Sequence, residues 1–69
     1  MIIQLNDKKI HIHTEISLEK LLQTELNITP EKKGIAVAVN ENIIPKQEWK
    51  NYLIKDNDTI LVITAAQGG

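Results

Sequence analysis

The chain ends Ala65-Ala66-Gln67-Gly68-Gly69, five residues with almost no side-chain bulk before a terminal carboxylate. Glycine loses more backbone entropy on ordering than any other residue, so a Gly-Gly end calls for a reason other than packing. Glycine makes up only ~7% of average sequences, which makes two in a row at the terminus uncommon by chance. A tail this slender can thread a narrow active-site channel, and a glycine carboxylate has no β-carbon to hinder attack. Frayed termini are common, but the composition here favours a reactive tail. On this reading Gly69 is the reacting group, and Ala66, Gln67 and Gly68 are what a partner's channel recognises.

Other residues with chemical potential have simpler explanations. His11 and His13 are two apart in an alternating run, so they share one face of a strand. No carboxylate in that strand joins them, and a catalytic zinc site needs three protein ligands, so no metal site is expected. Asp56 and Asp58 flank Asn57, and such a triplet is expected to be a solvated turn. It lacks both the oxygen ligands and the glycine of a calcium loop. Ser17, the only serine, precedes an apolar stripe and is explained by helix capping. Trp49 and Tyr52 are expected in the core or at its edge, and Lys32-Lys33 in a solvated connection. No glycine-rich phosphate loop exists, because two of the three glycines are the last two residues. The chain therefore offers no catalytic side chain of its own, and no stably bound cofactor is expected.

The elements that must present this tail follow from periodicity. Met1 to Asn6 and Ile10 to His13 alternate around an Asn-Asp turn, the pattern of a β-hairpin with Ile3, Leu5, Ile10 and Ile12 on the buried face. Leu18, Leu21, Leu22 and Leu26 form one helical stripe. Ser17 is the N-cap, Ile16 and Leu21 form a hydrophobic staple, and Asn27 with Thr29-Pro30 ends the helix. Ile35 to Val39 is a strand with large residues on one face and Ala36 and Ala38 on the other. Asn40 to Asn42 turns the chain into a very short strand at Ile43-Ile44, which Pro45 stops. One helical turn or irregular chain follows over Lys46 to Tyr52. Thr59 to Thr64 is the last strand. The order β-β-α-β-β-β in a short chain gives an α+β fold, one helix on a mixed sheet, and its opening hairpin, crossover helix and returning strand suggest a β-grasp. Residues 1–64 form the domain and residues 65–69 the flexible reactive tail.

Composition narrows the partners. The chain has 69 residues, eight lysines and no arginine against nine carboxylates, for a net charge of −1. Phosphate binding needs a basic excess, so nucleic acid is not expected. A domain of this size buries only ~60% of its unfolded surface, leaving little room for an enclosed pocket. There is no cysteine, hence no disulfide or thiolate nucleophile, which suits a reducing compartment. No apolar run approaches a membrane span, and no signal peptide is visible. A monomeric cytoplasmic domain is expected. In the last strand Ile60 and Val62 face the helix, which turns Leu61 and Ile63 outward beside Ala36 and Ala38. These four residues form a candidate partner surface next to the tail.

Three segments carry a resemblance along the whole chain. They are Met1-Ile-Ile-Gln-Leu-Asn6, then Ile35-Ala-Val-Ala-Val-Asn-Glu-Asn-Ile-Ile-Pro45 with Trp49, and Asp56-Asn-Asp-Thr-Ile60 leading into Ile63-Thr-Ala-Ala-Gln-Gly-Gly69. Together they resemble the ThiS family, the sulfur carriers of thiamin biosynthesis with a ubiquitin-like β-grasp fold. That family often has Arg after the proline, where this chain has Lys46, and Gly in the Asp-Gly-Asp turn, where it has Asn57. Lysine keeps the charge and gives up bidentate bonding, while asparagine tolerates the turn.

The resemblance implies a carrier and not an enzyme. A ThiF-type adenylating enzyme would use MgATP to activate the Gly69 carboxylate. A sulfur donor would convert it to a thiocarboxylate, and a ThiG-type thiazole synthase would take the sulfur. The alternatives are the small sulfur-carrying subunit of molybdopterin synthase, a ubiquitin-like modifier joined to lysines through Gly69, and a plain interaction module.

Overall fold

The computed structural model describes residues 1–65. Five strands and one helix follow in the expected order: β1 (Ile2–Leu5), β2 (Lys8–His11), α1 (Leu18–Leu26), β3 (Ile35–Val39), β4 (Asn42–Ile43) and β5 (Thr59–Thr64), with a 3-10 turn at Lys46–Glu48 before β5. The sheet order is β2-β1-β5-β3-β4. β1 and β2 are antiparallel, with Leu5 opposite Lys8. Only Asn6 and Asp7 separate that pair, and Asn6 takes the positive φ (53°) that so tight a reversal requires. β5, last along the chain, lies in the middle of the sheet. It runs parallel to β1 and antiparallel to β3. This is the β-grasp arrangement that the element order suggests.

The helix begins where its capping chemistry says it should. Ser17 Oγ accepts from the Lys20 amide at 3.1 Å. Two more first-turn amides find carbonyls from the segment before β5: Leu18 donates to Tyr52 (2.7 Å) and Glu19 to Trp49 (3.0 Å). These bonds satisfy donors that a helix start otherwise leaves orphaned. Asn27 ends the helix in the left-handed region at φ 57°.

Leu18, Leu21 and Leu22 are fully buried against the sheet. Leu26, expected to complete that stripe, is 37% exposed instead. The left-handed turn at Asn27 redirects the chain, the Ile28 amide bonds back to the Leu22 carbonyl at 3.1 Å, and Ile28 enters the core in Leu26's place. The inner face of the sheet supplies Ile3, Leu5, Val37, Val39 and Ile60, all buried, with Ile10 and Val62 packed at the margin. Ile12 joins the same core as expected, one residue beyond β2.

Two further readings are refined. Trp49 is buried, and its Nε1 donates to the Ile44 carbonyl at 3.0 Å. The 56–58 turn is not simply solvated. Asn57 has the positive φ expected of it (70°), but Asp58 is buried. Its Oδ1 accepts from Asn40 Nδ2 (2.9 Å) and its Oδ2 from the Lys55 amide (2.8 Å). Asn40 Oδ1 in turn accepts from the Thr59 amide at 2.9 Å. These side chains fasten the β3–β4 turn to the start of β5, a pairing that distant residues make and local turn propensity does not reveal.

Candidate functional site

β5 carries the chain from the middle of the sheet toward the terminal glycines. Its phase is as expected. Ile60 points inward and is fully buried, while Leu61 and Ile63 point outward and are 48% and 51% exposed. The ladder to β3 sets Leu61 opposite Ala38 and Ile63 opposite Ala36. Directly opposed residues on one face bring their β-carbons to roughly 4.5–5.5 Å, so each large side chain leans over a small one. Ala36 is exposed.

Ala38, expected to be open on this face, is only 8% exposed. It sits between Leu61 on β5 and Ile43 on β4, and a single methyl is shaded by two longer neighbours. Ile43 is the member of this surface that sequence reasoning missed, and at 66% it is more exposed than Leu61 or Ile63. A signal was available. Ile43 and Ile44 are consecutive in an extended segment, so one of them must face away from the core. Ile44 is the buried one. The outer face thus presents a contiguous aliphatic strip of Ile43, Ala38, Leu61, Ala36 and Ile63.

Where β5 ends, the Ala65 amide donates to the Gly34 carbonyl at 2.7 Å. Gly34 adopts φ 77°, a region that disfavours a β-carbon. Lys46 lies nearby in the fold, with its Nζ donating to the Lys32 carbonyl at 2.9 Å and standing 5.9 Å from the centre of the Trp49 ring. In the same connection the Glu31 carboxyl is held below its usual range, first by a hydrogen bond from the Thr29 side chain and then by its own backbone, with the Lys46 charge contributing least. The remaining site residues, Ala66, Gln67, Gly68 and Gly69, lie outside the described residues.

His11 closes β2, His13 lies two residues on, and both are exposed on either side of the buried Ile12. Among the described residues no group of three or more His, Asp or Glu side chains is placed to hold a metal. No helix of the described residues is long and apolar enough to cross a membrane.

Known proteins match this chain from end to end. It is 28% identical over 69 residues to the sulfur carrier protein ThiS of Escherichia coli (strain K12), with all of both chains covered. Its fold superposes on the crystal structure of the thiamine biosynthesis protein ThiS from Geobacter metallireducens with a TM-score of 0.79, at 18% identity and with both chains fully covered. The solution structure of a thiamine biosynthesis protein from the same organism gives 0.77 at 17% identity, covering all of this chain and 88% of that one. The model of the ThiS family matches residues 2–69, and the chain belongs to that family.

Proposed function

We propose that this protein is a sulfur carrier of thiamin biosynthesis whose working group is the Gly69 carboxylate. The observation that carries the reading is the family match through the last residue, in a chain whose sequence runs from the central strand β5 through Ala65, Ala66 and Gln67 to Gly68-Gly69. The Escherichia coli relative, matched over its whole length, is a sulfur carrier by name.

A carboxylate is a poor electrophile, so the first step is activation by an adenylating enzyme of the ThiF type. A carboxylate oxygen attacks the α-phosphorus of MgATP, pyrophosphate leaves, and an acyl-adenylate remains. Sulfide-level sulfur, HS⁻ from a sulfur source, then attacks the acyl carbon, the C–O bond to AMP breaks, AMP leaves with its electron pair, the S–H proton is lost to solvent, and Gly69 becomes a thiocarboxylate. This group is ionised at neutral pH and is a good sulfur nucleophile, ready for a thiazole synthase of the ThiG type. The carrier contributes the terminus, the slender 66–69 segment that enters each active site, and a docking face. The aliphatic strip of Ala36, Ala38, Leu61, Ile63 and Ile43 serves as that face. It includes Leu61 and Ile63 of the strand that leads to the tail, and a partner gripping it places the tail in its own active site.

Intact mass tests the reading. Incubation with a cognate adenylating enzyme, MgATP and a sulfur source should add ~16 Da, oxygen replaced by sulfur, at the C-terminus. A chain of unchanged mass overturns the carrier reading. Adducts at the mass of other proteins, stable to thiols, would make the chain a modifier. Gly68→Val should leave the unfolding midpoint unchanged and abolish carrier-dependent ATP–pyrophosphate exchange, because a β-branched side chain does not fit a channel shaped for glycine.

A further inference from the structure

This inference rests on the carrier reading above, in which the direction the tail leaves the sheet decides how its carboxylate meets an active site. The direction is set at Ala65, whose amide is held by the Gly34 carbonyl at 2.7 Å. Gly34 closes the connection between α1 and β3, and Glu31, Lys32, Lys33 and Gly34 are all exposed. A segment with no buried side chain is intrinsically free to open.

One side chain from another element hydrogen-bonds to this segment among the described residues. Lys46 Nζ donates to the Lys32 carbonyl at 2.9 Å. The same ammonium stands 5.9 Å from the centre of the Trp49 ring, close enough for attraction to the ring face. Trp49 is itself buried and pinned through Nε1 to the Ile44 carbonyl. Contacts therefore run from the core, through Trp49 and Lys46, to the Lys32 carbonyl, and two residues further along the backbone Gly34 holds the Ala65 amide.

We propose that Lys46 is a positioning residue for the reactive tail. It ties the exposed 32–34 segment to the Trp49 platform, which fixes the Gly34 carbonyl that receives the Ala65 amide. In this role it acts through the Gly34 carbonyl and not on the reacting group itself.

Amide hydrogen exchange on the free, full-length protein tests this without any enzyme. Lys46→Met keeps an aliphatic stem over Trp49 and removes the donor. Ala65 protection should fall about tenfold, the loss of one charge-assisted hydrogen bond, while the amides of Val37 and Val62 keep theirs. Lys46→Arg, which retains a donor and stacks on the ring, should restore Ala65 protection. In adenylation, Lys46→Met should raise the KM for the carrier with little change in kcat, because the partner must now fix the Ala65 amide itself. Unchanged Ala65 protection in Lys46→Met overturns the proposal. A uniform loss across Val37 and Val62 overturns it too, because Lys46 would then be a stability residue. Failure of the wild-type protein to be adenylated would overturn the carrier reading instead and would leave the exchange result standing.

Discussion

The two faces of the sheet are built from the same kinds of residue and end in different states. Ile60 and Leu61 are neighbours in β5, yet the first is fully buried and the second half exposed. Val37 and Ala36 stand in the same relation on β3. Side-chain type does not separate them. What separates them is that α1 lies over one face and nothing in the described chain lies over the other. The inner residues hold the fold. Their outward neighbours keep β-propensity and contact with water, and they remain free to meet another molecule.

The contrast is sharpest at the helix. Leu22→Ala deletes fully buried methyl groups and should cost ~2–5 kcal/mol in urea unfolding, much of what so small a domain has. A loss well below that would mean that α1 is not what divides the faces. Asp58→Ala tests whether the sheet's central joint depends on polar bonds as well as on packing. It strips the acceptors from Asn40 Nδ2 and the Lys55 amide and should cost roughly 1–3 kcal/mol. Combined with Asn40→Ala it should cost clearly less than the sum of the two, because the two side chains share a bond.

On the open face the expectation reverses. Leu61→Asp should cost about 1 kcal/mol or less in stability while weakening binding to the adenylating enzyme or thiazole synthase proposed above as partners, read by titration. Ile60→Asp, one residue away, should not fold, because it buries an unpaired charge. The smallest effect belongs to neither face. Glu41 sits in the β3–β4 turn at φ 74°, where a residue with a β-carbon is strained. Glu41→Gly should raise stability by about 0.5–1 kcal/mol, the relief partly offset by a freer unfolded chain. Thermal denaturation is sensitive enough to detect it.

How far these states were legible depended on how local their causes are. The Asn6 turn, the Ser17 cap, the Asn27 stop and the phase of β5 follow from neighbouring residues, and the structure has all four. Leu26 was misplaced because periodicity continues past the point where the chain bends away. The burial of Asp58 was missed because its partner Asn40 is 18 residues distant, and propensity alone sees only a polar turn. For Ala38, strand alternation gives an outward direction and says nothing of the Leu61 and Ile43 side chains that lean over it. Ile43 escaped for the complementary reason: a two-residue strand is too short for alternation to show. Lys46 was legible only as a departure from a family pattern, since its bond to the Lys32 carbonyl depends on how the loops meet.

The position of β5 also governs how the chain comes into being. Among the described residues it is the last strand in sequence and the one strand that links β1 to β3 in the sheet. As the polypeptide leaves the ribosome, residues 1–58 can form two separate hairpins and a helix with no complete surface to rest on. Isolated hairpins of this size are marginal in water, and closing the sheet must wait for the most distant contacts in sequence. Folding is therefore held until Thr59 to Thr64 has been made. A chain interrupted before that strand is left without a sheet for the helix to cover, open to proteolysis, and unable to compete with finished carriers for their enzymes.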